Sequence, residues 1–155
     1  MDFKQWADLL GRPADDAAVC RALAEAGISE RIKIGKKELS TREDLEGRGM
    51  TIVFTSETIL RPDDPGAVVG RPIVSAVMVV LDQPSKKNLY EGPLPYGLEK
   101  ADSLAALRGR LGTPGQTNER YRTDAWEIDG MTLAASYSKD LQSLTQLSLS
   151  LPGSH

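Results

Sequence analysis

The sequence predicts an α+β fold: two tandem helix-plus-antiparallel-sheet repeats forming one domain, with strands largely antiparallel. Three observations carry that prediction. Leu-Gly-x-Pro occurs twice, at Leu10-Gly11-Arg12-Pro13 and at Leu111-Gly112-Thr113-Pro114. Each copy is followed by Gly-Met-Thr, at Gly49-Met50-Thr51 and at Gly130-Met131-Thr132. Each copy then reaches a β-prone run, 73–81 in the first and 144–151 in the second. The 155 residues suit one domain, assigned to 1–152, with pseudo-repeat 1 over 2–91 and pseudo-repeat 2 over 92–152. The terminal Gly153-Ser154-His155 reads as a tag remnant.

The elements follow in order. Helix one is expected from Asp2 to about Leu10, with Asp2 as its cap and Phe3, Trp6 and Leu10 on one face. Gly11 stops it, and Pro13 prevents its continuation. Helix two is expected from Asp15 or Asp16 to Ala26, its acids at the positive end of the helix dipole. Val19, Leu23 and Ala26 form its apolar stripe, and Cys20 beside them reads as a small core residue. Residues 31–35 are a short strand candidate, and 36–48 read as a charged loop.

A strand is expected over 50–55, a Pro- and Gly-rich loop over 61–70, and a central strand covered on both faces over 73–81. Residues 88–97, with Gly92-Pro93-Leu94-Pro95-Tyr96-Gly97, form the joint between the halves. Helix three is expected over 102–111, with Leu104, Leu107 and Leu111 as its stripe. Three antiparallel strands complete the fold, over 120–128, 131–137 and 144–151. Asp129-Gly130 is a two-residue hairpin turn, and Ser138-Lys139-Asp140 makes the next turn. The last strand alternates, with Leu147, Leu149 and Leu151 directed inward.

Little of the composition suits chemistry. The only His is His155 at the C-terminal end, so the lone Cys20 has no internal His to activate it. One Cys forms neither a disulfide framework nor a Cys-based zinc site. No phosphate loop, zinc-protease motif or EF-hand pattern occurs. No catalytic residue, metal or cofactor is therefore expected. The 19 Lys and Arg are interleaved with 22 Asp and Glu for a net charge of −3, which argues against nucleic acid as a partner. No apolar run approaches the ~20 residues of a membrane span, and no basic-plus-apolar signal segment opens the chain. The expected location is the cytoplasm, with no membrane partner.

The order of landmarks resembles a known family. Gly92-Pro93-Leu94-Pro95-Tyr96-Gly97-Leu98, a short helix, Leu111-Gly112-Thr113-Pro114, Asp124-Ala125-Trp126, and a final alternating strand ending Leu151-Pro152 carry the second half. Leu9-Leu10-Gly11-Arg12-Pro13 and Gly49-Met50-Thr51-Ile52-Val53-Phe54 carry the first. Over roughly 3–152 this pattern resembles bacterial immunity proteins encoded beside polymorphic and type VI secreted toxins. The helix–LGxP–strand unit is also similar to the tandem repeats of the β-lactamase-inhibitor-protein and small outer-membrane-lipoprotein folds. The chain departs from the lipoproteins in lacking a lipobox cysteine, and from the secreted inhibitor in lacking its disulfides.

The resemblance implies an antitoxin of interbacterial competition, whose partner is a cognate toxin domain and which blocks that toxin's active site. It carries over no interface residues. If the toxin is a nuclease with a basic site, the acids Glu43, Asp44, Glu46, Asp63 and Asp64 are the expected contacts, through charge complementarity. Two rival roles remain open: an adaptor or chaperone that loads a secreted effector, and a small-molecule-binding domain with a pocket around Tyr121 and Trp126.

Overall fold

The computed structural model describes residues 1–45, 47–84 and 88–154. Its centre is a seven-stranded, wholly antiparallel sheet in the order β1-β2-β3-β7-β6-β5-β4. The strands are β1 (Ser40–Leu45), β2 (Met50–Ser56), β3 (Pro72–Val80), β4 (Gln116–Asn118), β5 (Thr123–Ile128), β6 (Met131–Tyr137) and β7 (Leu144–Ser150). The helices are α1 (Phe3–Ala7), α2 (Ala17–Glu25), α3 (Glu57–Leu60) and α4 (Leu104–Leu111). Two β-meanders, β1–β3 and β5–β7, therefore lie side by side and join through their third strands.

The paired sequence landmarks occupy paired places. Gly112 caps α4 at φ +88°, and Gly11 ends the turns that follow α1 at φ +90°, a region open to Gly because it has no Cβ. The Met of each Gly-Met-Thr opens the second strand of its meander. The β-prone runs are β3 and β7, and they pair from Ala76↔Ser150 to Val80↔Gln146. Asp129 and Gly130 both take positive φ, the signature of the tight hairpin turn expected there.

The core lies on one face of the sheet. Phe3, Trp6 and Leu9 of the first helical segment join Val19, Ala22 and Leu23 of α2 and Leu107 of α4. They pack on Met50, Ile52, Phe54, Val77, Val79, Leu133, Leu147 and Leu149. Burying each large side chain contributes roughly 1.5–3 kcal/mol, so this single layer supplies most of the driving force for folding. A β-bulge at Val53/Phe54 opposite Ser75 lets Val74 rejoin the core face despite the odd spacing from Val77.

Several boundaries differ from the sequence reading, each for a local reason. Helix α1 ends at Ala7, and Leu9 N–H and Leu10 N–H instead bond three residues back, to Trp6 and Ala7. The cap that opens α4 is Ser103, whose hydroxyl accepts from Ala106 N–H, so the helix begins at Leu104. Arg122 sits at φ +53°, which delays β5 to Thr123. Residues 31–35 form no strand, and the edge position falls to β1 inside the supposed charged loop 36–48. An edge strand needs only one buried face, so its charges Arg42 and Asp44 stay in solvent while Leu45 reaches the core. The short α3 and β4 carry no periodic signal in sequence. Cys20 is exposed, because the buried stripe of α2 runs through Val19, Ala22 and Leu23.

Candidate functional site

The helices that share the core clothe one face of the sheet. Side chains alternate along each strand, so the register assigns the intervening residues to the opposite face. Two rows cross that face. One runs Asp44, Thr51, Met78, Ser148, Ala134, Ala125 and Gln116 from β1 to β4. The next runs Arg42, Val53, Ala76, Ser150, Thr132 and Glu127 from β1 to β5. Near β3 the face is closed at one end: the C-terminal turn folds over, with Ser154 Oγ 3.2 Å from Ser75 Oγ. Beyond it, Met78, Ala134, Ser148 and Ser150 are partly exposed, and Glu127 and Asp44 are exposed.

An acid flanks this face on either side, each held by the threonine opposite it. Thr51 Oγ1 donates to Asp44 at 2.6 Å, and Thr132 Oγ1 donates to Glu127 at 2.9 Å. These are the threonines of the two Gly-Met-Thr landmarks. With strands ~4.8 Å apart, the acids are separated by roughly 20–25 Å, across a face where Ser, Thr and Ala surround the partly exposed Met78 and where Val53 and Ala76 are buried.

The sequence-derived acids do not form one patch. Glu43 and Asp44 point to opposite faces: Glu43 pairs with Ile52 on the core side, and Asp44 pairs with Thr51 on the uncovered side. Asp63 and Asp64 lie in the loop after α3, where Asp64 Oδ1 accepts from Gly66 N–H at 2.8 Å and shapes the turn. That loop leaves β2 after Ser56, five residues from Thr51, or roughly 16 Å along the strand from Asp44. Glu46 lies outside the described residues. Glu127 was absent from the expected contacts. It stands opposite Thr132 as Asp44 stands opposite Thr51, a relation that only the strand register reveals.

Two buried carboxylates elsewhere are structural. Asp124, 1% exposed, accepts from Arg108 Nε at 3.0 Å and Nη2 at 2.9 Å, from Thr117 Oγ1 at 2.9 Å and from Tyr137 Oη at 3.0 Å. Burial pushes this carboxyl up, but the hydrogen bonds from Arg108, Thr117 and Tyr137 together hold it below the usual carboxylate value. The Tyr137 hydroxyl is pushed well above the usual phenol value by burial and by Asp124 beside it. Glu57, 3% exposed, accepts from Val68 N–H at 2.8 Å and from Arg61 at 3.1 Å, and it pairs with Arg71 at 3.5 Å. It pins the loop 61–70 to the end of β2.

Tyr121 and Trp126 do not share a cavity. Tyr121 is 62% exposed under Arg120, while Trp126 is in the core with Nε1 donating to Gly112 O at 3.0 Å. Among the described residues, no three His, Cys, Asp or Glu are grouped to hold a metal ion, and no helix is long and apolar enough to cross a membrane. No protein-family model matches the chain, no curated protein matches it, and no solved structure matches it.

Proposed function

We propose that this chain is an immunity protein of the cytoplasm that neutralises a cognate secreted antibacterial toxin. The uncovered face of its sheet docks on the toxin domain and occludes the active site. One observation carries this reading: a seven-stranded sheet with a core on one face and a partly exposed band centred on Met78 on the other, bounded by Asp44 and Glu127. A face of this width offers on the order of 600 Å², near the ~800 Å² that one side of a standard interface buries. The uncharged centre, Met78 with Ser148, Ala134 and Ser150, supplies the contact surface, and the acids at the flanks steer a basic partner and set its orientation.

The test is co-expression with the toxin encoded by the adjacent open reading frame. Wild type restores growth and co-elutes with the toxin in gel filtration. Ser148→Arg and Ala134→Arg place a long cation in the middle of the band and abolish both effects while the free protein stays folded. Growth arrest with the wild-type chain and no complex on the column would refute the reading. A complex that leaves toxin activity intact would favour the adaptor role instead.

A further inference from the structure

The geometry points to a second docking site, a groove that takes an extended, acidic–aliphatic segment of a partner polypeptide by strand addition. It lies away from the uncovered sheet face and does not depend on the toxin reading. The groove has a volume of about 1000 Å³ and runs between α2 with the segment after it and residues 68–72. Three independent features of its walls favour a strand as the occupant.

One wall is backbone. Residues 31–34 run without turn or bend and alternate as a strand does, with Ile32 in the core and Arg31 and Lys33 exposed. Among the described residues, no backbone N–H or C=O of 29–34 forms a hydrogen bond within the protein. A ladder of donors and acceptors about 13 Å long is thus left without a partner strand. Strand addition satisfies such groups, with main-chain bonds giving affinity and alternate side chains giving specificity.

The opposite wall is apolar and fixed in place. Val68 is 53% exposed and Val69 is 81% exposed, the highest value among the large hydrophobic residues so exposed. They are not on a loose loop. Val68 N–H donates to the buried Glu57 carboxylate at 2.8 Å, and Gly70 N–H donates to Ser56 Oγ at 2.8 Å. A rigid apolar rim loses little freedom on binding, which favours aliphatic side chains in the occupant.

Charge selects the remaining side chains. Asp15 is held by Arg71 across the groove at 3.7 Å, whereas Arg31 and Lys33 form no ion pair among the described residues. Residues 30–37 carry Arg31, Lys33, Lys36 and Lys37 against Glu30 alone, in a chain whose net charge is −3. An occupant with acids on its outward face is therefore favoured over a basic one.

The experiment uses the full chain and two synthetic peptides, acetyl-(Glu-Val)3-amide and acetyl-(Lys-Val)3-amide, with amide hydrogen exchange as the readout. At ~1 mM the Glu peptide is expected to slow exchange at 31–34 by about tenfold or more, and the Lys peptide to leave it unchanged. Cys20, the chain's only thiol, lines the groove and is exposed, so its reaction with a disulfide reagent slows in parallel. Alternate N-methylation of the Glu peptide removes its ladder donors and abolishes protection. The double variant Arg31→Glu, Lys33→Glu reverses the preference between peptides, and Val69→Asp weakens binding; these side chains are exposed, so the fold is retained. No protection at 31–34, equal protection by the two peptides, or full protection by the N-methylated peptide would overturn the proposal.

Discussion

Arg108 and Asp124 meet in a two-pronged ion pair that ties α4 to β5. Nε and Nη2 of the guanidinium reach the two carboxylate oxygens at 3.0 and 2.9 Å. Thr117 and Tyr137 supply two further donors, so the carboxylate is fully engaged although it is only 1% exposed. Asp124→Ala leaves the Thr117 and Tyr137 hydroxyls without their acceptor, while the half-exposed Arg108 turns to water, and is expected to cost about 2–3 kcal/mol. Tyr137→Phe removes one bond and is expected to cost roughly 1.5 kcal/mol, lowering Tm by about 3–6 °C. Urea melts of the two variants check the order.

The same carboxylate sets an acid limit. Its folded value lies below its unfolded one, so its contribution is fully present above the unfolded value of about 3.9. It is lost as pH falls through the lowered folded value. Urea midpoints measured from pH 7 down to pH 3 are expected to fall below about pH 4, and to fall less steeply in Asp124→Asn. An equal slope in that variant would assign the acid sensitivity to other groups.

Gly49 and Gly130 open equivalent strands but differ in surroundings. A Cβ at Gly49 would overlap the backbone at Tyr90 N and lie 2.6 Å from Leu89 C, whereas Gly130 has open space around it. Both have positive φ. Gly130→Ala is expected to cost about 1 kcal/mol, the left-handed backbone alone. Gly49→Ala adds the displacement of 89–90 and is expected to cost a further ~1–3 kcal/mol. Thermal melts run side by side decide it.

Glu57 is expected to control the loop 61–70 more than the fold as a whole. Glu57→Ala leaves Val68 N–H without its acceptor and removes the shared carboxylate from Arg61 and Arg71, which then keep only Gly11 O and Asp15 among the described residues. The expected loss is about 2 kcal/mol. Limited proteolysis should show new cleavage near Val69 before any cut within β2 or β3. Cleavage spread evenly over the chain would mean that Glu57 supports the whole domain.

The long apolar and alternating stretches were legible in sequence because burial imposes a period on them. β2, β3, β6 and β7 fall where the pattern predicts. β1 was not legible: its residues Ser40–Leu45 are largely charged or polar, since half of an edge strand faces solvent and its pairing is made by backbone. Cys20 was misplaced because one residue along a helix is ~100° around it, enough to move a side chain from core to groove. Within the candidate site, Asp44 was legible as an acid, but its role as the counterpart of Glu127 needed the register. Loop acids such as Asp63 carry no period, and their separation from Asp44 is set by where β2 ends.

The seam between β3 and β7 has a consequence for any shortened chain. Each meander satisfies the outer edge of its third strand only by borrowing the other's. A chain cut in the joint near residue 90 would leave 2–91 with the nine-residue, largely buried β3 as a bare edge. Unpaired edges of that kind recruit another strand. Because β3 would run antiparallel to a second β3 as it does to β7, two copies of the fragment could close the seam about a two-fold axis. The single chain is thus already arranged as a dimer of unequal halves fused into one polypeptide, and the two fragments supplied together should reassemble it.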